Sequence, residues 1–179
     1  DCSQGTPLLG ILKADADRMG LLFSHGLHPP TFARAAALSQ TVHRFFGVYL
    51  NQLARELTTA WRANLDETMC QTLKRRRVDY QELDSLFYVV YAGGDDLFVI
   101  GPWDQMIEFA LALRGKYRDY TCQQADFSLS GGLVFVKPHF PIHQFARLVD
   151  EAEGQAKDAG RDRLTVFGHT LPWDEAEAL

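Results

Sequence analysis

Four carboxylates in two short segments are the residues of this chain best suited to chemistry. They are Asp15 and Asp17 in Lys13-Ala14-Asp15-Ala16-Asp17, and Asp95 and Asp96 in Gly93-Gly94-Asp95-Asp96. Carboxylates gathered at strand ends, with substrate phosphate oxygens completing the shell, are a usual way to hold a hard divalent cation such as Mg²⁺ or Mn²⁺. The two glycines serve the same chemistry. Without Cβ atoms they allow positive φ and let a triphosphate come close to the backbone, whose N–H groups can donate to it. Gly-Gly-Asp-Asp is also an ordinary turn composition. Its position between two buried-strand patterns, with a strand-end Asp-x-Asp far upstream, favours metal and nucleotide.

Asp15 and the Gly93–Asp96 segment can act together only if the fold brings them side by side. The apolar run Leu8 to Asp15 reads as a buried strand ending in acid, followed by a Gly- and Pro-marked loop through His28-Pro29-Pro30. Thr31 then caps a long helix with Ala35, Leu38, Val42, Phe45, Tyr49, Leu53 and Leu57 at spacings of three and four. Residues 62–85, mostly polar, read as a helix extension and a loop, or as an insertion. Leu86 to Tyr91 and Leu97 to Gly101 form a hairpin joined by the five residues Ala92 to Asp96. Beyond it come a helix after Pro102, a strand from Phe127 to Val136, a helix from His143 to Ala159 closed by Gly160, and a strand from Leu164 to Phe167.

The order β-α-β-β-α-β with an added α-β unit is the ferredoxin-like palm plan. It predicts an α+β fold with helices covering one face of an antiparallel sheet. Strands one and three are central neighbours in that plan, so Asp15 should face Asp95 and Asp96.

At 179 residues the chain predicts one domain, 1–179, able to bury its own core without staples. Its 46% hydrophobic and 23% charged content excludes disorder and coiled coil. A net charge of −5 argues against a broad duplex-DNA or anionic-lipid face and leaves room for a small phosphate pocket. Cys2, Cys70 and Cys122 form no metal or disulfide framework, which fits a reducing, cytoplasmic setting. No run of 18 apolar residues predicts a membrane partner, and a start at Asp1 running almost directly into a strand reads as a domain excised from a longer chain.

Four motifs together resemble one family: Lys13-Ala14-Asp15-Ala16-Asp17-x-x-Gly20, Tyr91-Ala92-Gly93-Gly94-Asp95-Asp96-Leu97-Phe98, Gly101-Pro102-Trp103-Asp104 and Lys137-Pro138-x-Phe140-Pro141-Ile142. The family is the large subunit of type III-A CRISPR effector complexes, the Csm family, and specifically its second palm domain. The resemblance runs from about Gly10 to about Trp173. It implies a palm related to GGDEF diguanylate cyclases that makes cyclic oligoadenylates from ATP within an antiviral complex. Asp15, Asp95 and Asp96 would carry two divalent metals, with Asp95 and Asp96 catalytic, and Asp17 matches the second acid of the first-strand motif. Implied partners are ATP, a first palm domain, sister subunits, crRNA and target RNA. The sequence lacks a His-Asp nuclease motif, zinc-binding cysteines and a first palm, so single-stranded DNA cleavage does not carry over.

Lys157 and Arg161, in Ala156-Lys157-Asp158-Ala159-Gly160-Arg161, are similar to a cyclase segment that would neutralise a triphosphate alongside Gly93 and Gly94. Cations in a last helical turn equally serve the helix dipole and its free carbonyls. Lys13 reads as charge balance for the acids. The pairs His25/His28 and His139/His143 lack a third ligand at motif distance and are not metal sites. The run Lys74 to Arg77 is a solvated face or an RNA or subunit contact. Two functional alternatives stand beside the ATP enzyme: a non-catalytic palm contacting RNA and subunits, and a GTP-using diguanylate-cyclase-like enzyme. A single palm is expected to bind ATP yet react slowly.

Overall fold

The computed structural model describes residues 2–3 and 5–178. Its strands are β1 (Leu9–Ala16), β2 (Tyr88–Gly93), β3 (Asp96–Pro102), β4 (Leu129–Val136), β5 (Arg163–Val166) and β6 (His169–Pro172). Its helices are α1 (Met19–His25), α2 (Phe32–Arg44), α3 (Leu50–Ala63), α4 (Glu67–Arg75), α5 (Trp103–Tyr120), α6 (Ile142–Asp158) and α7 (Trp173–Ala176). The sheet order is β2-β3-β1-β4-β5-β6. Strand β1 is antiparallel to both β3 and β4, as the palm plan requires, while β5 runs parallel to β4 because α6 carries the chain back before it re-enters the sheet.

Alternation along the strands loads both faces of the sheet. Leu12 and Ala14 of β1, Leu97 and Val99 of β3 and Leu133 of β4 join the main core with Met106, Phe109 and Leu113 of α5. Ile11, Phe98 and Val136 point the other way and pack with Phe145 and Val149 of α6. Coverage of one face therefore holds for the βαββαβ core, but the added unit's helix, α6, lies on the opposite face. The odd-numbered residues of β1 need that second layer, since they include the apolar Leu9 and Ile11, which would otherwise be wet.

The long helix from Thr31 is present, with Thr31 Oγ1 accepting from Arg34 N at its start. A π-helical step over Phe45–Tyr49 interrupts it before α3. The step turns consecutive Phe45 and Phe46 both into the core, which regular 3.6-residue winding would splay apart. Residues 19–25 form α1 where a loop was expected, because Met19, Leu22 and Phe23 share one inward face. In 62–85 the chain extends α3 to Ala63 and forms α4, capped by Asp66 accepting from Met69 N at 2.6 Å. Arg62 then donates to the carbonyls of Tyr80 and Leu83, fastening the irregular stretch. Strand β6 and helix α7 extend the fold beyond the expected elements, and Trp173 anchors them by donating to Leu129 O at 2.7 Å.

Candidate metal and nucleotide site

The hairpin is tighter than its sequence suggests. Gly93 pairs with Asp96 and Ala92 with Leu97, so only Gly94 and Asp95 form the turn. Gly94 has φ +65°, which suits a primed two-residue turn with glycine first. A Cβ built on Gly93 or Gly94 meets no protein atom within 4 Å, so the outer side of the turn is open for a ligand.

This turn is fixed against the end of β1. Asp15 and Asp96 occupy the same register position on β1 and β3, and Ala16 N donates to Asp95 O at 2.8 Å. Asp15 shares the α6 face with Lys13 and Ile11. There Lys157 Nζ lies 2.8 Å from Asp15 Oδ2 and 2.5 Å from Glu153 Oε1, so Lys157 faces the carboxylates rather than the last carbonyls of α6. Glu153 Oε2 lies 3.1 Å from Lys13 Nζ, which is also 2.6 Å from Asp150 Oδ1. Lys13 thus balances α6 acids and not Asp15. Burial pushes the Asp15 carboxyl above its usual range, and Asp95 and Glu153 add to this against the pull of Lys157. Burial would lower the Lys157 ammonium, but its bonds to Asp15 and Glu153 prevail and raise it.

Asp96 is oriented by Tyr91, whose hydroxyl donates to Asp96 Oδ2 at 3.3 Å. Asp17 is placed differently. It is buried, accepts from Ser128 Oγ and Ser130 Oγ at 2.7 Å each and from Asp162 N at 3.2 Å, and so ties β4 and the turn after α6 to the end of β1. Arg161 Nε approaches it to 3.8 Å. The turn uses Gly160 at φ +121°, with Arg161 at +67° and Asp162 at +51°, and Arg161 N donates back to Ala156 O at 3.1 Å. Beneath the acids, the Tyr117 hydroxyl is buried without a hydrogen-bond partner among the described residues, and burial with the nearby Asp17, Asp15 and Asp95 charges raises it.

Asp15, Asp95 and Asp96 offer hard oxygen donors at one sheet end, beside an open glycine turn. That donor set fits Mg²⁺ or Mn²⁺. No group of three or more His, Cys, Asp or Glu side chains converges on one point among the described residues; Asp15 is turned to Lys157 and Asp96 to Tyr91. The histidine pairs form no such group either. A groove between α3 and α5, lined by Tyr49, Leu53, Leu113 and Tyr120, lies on the other face of the sheet, so the carboxylates stand at an open strand end and not in that groove. Of the basic run, Arg76 Nη1 donates to Ser3 O at 3.3 Å.

The family model for the second palm domain of Cas10/Cmr2 matches residues 8–165. This chain belongs to that family. Among its curated relatives is the CRISPR system single-strand-specific deoxyribonuclease Cas10/Csm1 (subtype III-A) of Thermococcus onnurineus, 34% identical over 99% of this chain and 21% of the relative. The protein of the same description in Methanocaldococcus jannaschii is 30% identical over 95% of this chain and 21% of its own length. The chain thus spans about a fifth of these relatives. A solved Csm1-Csm4 cassette in complex with one ATP superposes on 98% of the chain and 24% of the solved one, with TM-score 0.77 and 28% identity. The same cassette with cA4 gives the same TM-score, 0.77. The α+β fold is thus that of the Cas10 second palm, as in the Csm1 structures. No helix among the described residues is long and apolar enough to cross a membrane.

Glu153 and Asp150 carry no part in the motifs of the sequence, and Tyr91 lies within one without its contact to Asp96 being legible there. Glu153 stands four residues before Lys157 on α6, an acid-then-lysine spacing that is legible as a helical ion pair. The approach of Lys13 to both acids depends on how α6 crosses β1 and has no sequence signal.

Proposed function

We propose that the domain is a metal-dependent nucleotidyltransferase that binds ATP and builds cyclic oligoadenylates within a type III CRISPR complex. The observation that carries this reading is the pairing of Asp15 with Asp96 beside the open Gly93-Gly94 turn. Solved relatives bound to ATP, pppApA, pppApApA and cA4 support it, since these ligands form a series of growing adenylates.

A divalent cation held by Asp15, Asp95 and Asp96 would supply charge neutralisation and acidify an attacking hydroxyl. The chain's own groups do the rest. Backbone N–H groups of the open turn donate to phosphate oxygens, and Lys157 and Arg161 neutralise the triphosphate from the α6 side. A 3′-oxygen bonds to the α-phosphorus of a second ATP, the bond to pyrophosphate breaks, and the hydroxyl proton passes to Asp96 or to water. A first palm domain would seat the second nucleotide, and sister subunits, crRNA and target RNA would bind the parent complex. The deoxyribonuclease activity in the relatives' names is not assigned to this domain, whose sequence contains no His-Asp pair.

Calorimetric titration with ATP and GTP, with and without Mg²⁺ or Mn²⁺, tests the reading. ATP should bind, and more tightly with metal. Preference for GTP would indicate a diguanylate-type enzyme, and no nucleotide binding would leave a palm kept for its contacts.

A further inference from the structure

We infer that Glu153 is a positioning residue that aims Lys157 at the phosphates of the bound nucleotide. This inference rests on the nucleotide reading of the site.

Glu153 is 5% exposed and lies on the inner face of α6. A buried carboxylate is costly unless both oxygens are well partnered. Here one oxygen meets Lys157 at 2.5 Å and the other meets Lys13 at 3.1 Å. The helix is pressed onto the sheet to make this happen. A Cβ on Gly132 of β4 would lie 2.5 Å from Glu153 N, so only glycine lets α6 come this close. Burying Glu153 serves no pairing that a surface acid could not provide to a lysine four residues on. What burial adds is a fixed anchor point beneath the Lys157 ammonium.

That anchor matters because Lys157 has two possible partners with different fates. Its 2.8 Å contact is with Asp15, a candidate metal ligand, whereas its 2.5 Å contact is with Glu153, whose other oxygen is held by Lys13. When Asp15 turns to a cation, Lys157 loses one partner and keeps the other. A lysine side chain loses much rotamer freedom when fixed. With Glu153 in place much of that ordering precedes ligand binding, and the ammonium stays at the sheet end where Asp15 and Asp96 pair. Lys13 is already matched by Asp150 at 2.6 Å, so Lys13, Lys157, Glu153 and Asp150 are formally neutral together, and a phosphate reaching Lys157 meets no net negative charge from this cluster. Without Glu153, Lys157 would either wander or collapse onto Asp15 and compete with the cation there.

The test is a double-mutant cycle on the whole chain, reading the ATP dissociation constant without metal and the Mn²⁺ dissociation constant without nucleotide. E153Q should weaken ATP binding about ten-fold, the loss of one charge-assisted bond's worth of ordering. It should also weaken Mn²⁺, because Lys157 then has only Asp15. In the K157M background E153Q should have no further effect on ATP. Glu153→Asp, which keeps the charge, should recover part of the ATP affinity. Equal weakening by E153Q with and without Lys157, or unchanged ATP affinity in a folded E153Q, overturns the inference. If K157M itself binds ATP normally, the phosphate role of Lys157 fails instead. If E153Q does not fold, the same cycle with Glu153→Asp in its place decides between these outcomes.

Discussion

Ala16 donates a 2.8 Å backbone hydrogen bond to Asp95 O, one residue beyond the register pair of Asp15 and Asp96. The Gly94-Asp95 turn is therefore fastened to the central strand by main chain and not by the Asp95 or Asp96 carboxylate. Asp15, meanwhile, is held above its usual titration range by burial and by neighbouring acids.

From this, Asp95→Ala combined with Asp96→Ala should abolish metal-dependent nucleotide binding while leaving Tm unchanged or higher. The backbone bond survives the substitution, and removal of two charges relieves repulsion at Asp15. Thermal melts with calorimetry check it. A large fall in Tm with normal binding by the folded fraction would make these acids structural.

Asp17 should behave in the opposite way. Asp17→Ala strands two buried or half-buried serine hydroxyls and the Asp162 N–H, and each buried donor left unsatisfied costs about 1–3 kcal/mol. A marked drop in Tm with little change in Mn²⁺ affinity of the folded protein is expected. Lost Mn²⁺ affinity at unchanged Tm would make Asp17 a ligand and not a tie.

Asp15 and Asp17 show how far a sequence can be read. Both look alike in Asp-x-Asp, and the palm plan correctly brings the first to the hairpin, since strand order follows from element order and short connections. What separates the second is the pair of hydroxyls of Ser128, just before β4, and Ser130, within it, which no spacing near Asp17 announces. Similarly, the apolar strand patterns located β1 to β5, but a fully buried strand carries no alternation to say which face a helix will cover, so α6 on the far side was not legible. The hairpin length was misjudged because Ala92, Gly93 and Asp96 have turn composition while being paired as strand.

The contact of α6 with β4 gives a stability test. Gly132→Ala puts a methyl 2.5 Å from Glu153 N and 2.8 Å from Ala152 Cβ, and should cost about 1–3 kcal/mol. Gly154→Ala on the same helix meets nothing within 4 Å and should stabilise by about 0.5–1 kcal/mol. Urea unfolding of both variants measures the difference. Equal effects would mean that α6 is not seated as closely as this.

Alkaline pH tests the lysine network. Burial would lower Lys13 and Lys157, but their carboxylate bonds raise both above the ordinary 10.5. A raised folded value means stabilisation present in full below pH 10.5 and lost as pH climbs through the folded values. The stability of the wild type minus that of E153Q should thus be constant up to about pH 10 and shrink above it. Subtraction cancels tyrosine ionisation common to both. A difference independent of pH to 12 would mean that the Glu153 contacts carry no charge pairing.

Finally, ATP should be turned over appreciably only when this domain is joined to a second palm, and only with Mg²⁺, Mn²⁺ or a similar ion. A phosphodiester bond needs a donor triphosphate and an acceptor hydroxyl in line at near-attack distance, and effective molarity is lost when one reactant is free in solution. The sequence contains one Gly-Gly-Asp-Asp segment, which on the proposed reading would seat the donor, and no second one for the acceptor. The 179-residue chain should bind ATP with metal yet form little oligoadenylate, with any residual synthesis rising more steeply than linearly with protein concentration as one copy serves another. Product formation followed across a dilution series, with mass measured by light scattering, decides the matter. Brisk synthesis at constant specific activity by a monomer would show that one hairpin seats both nucleotides.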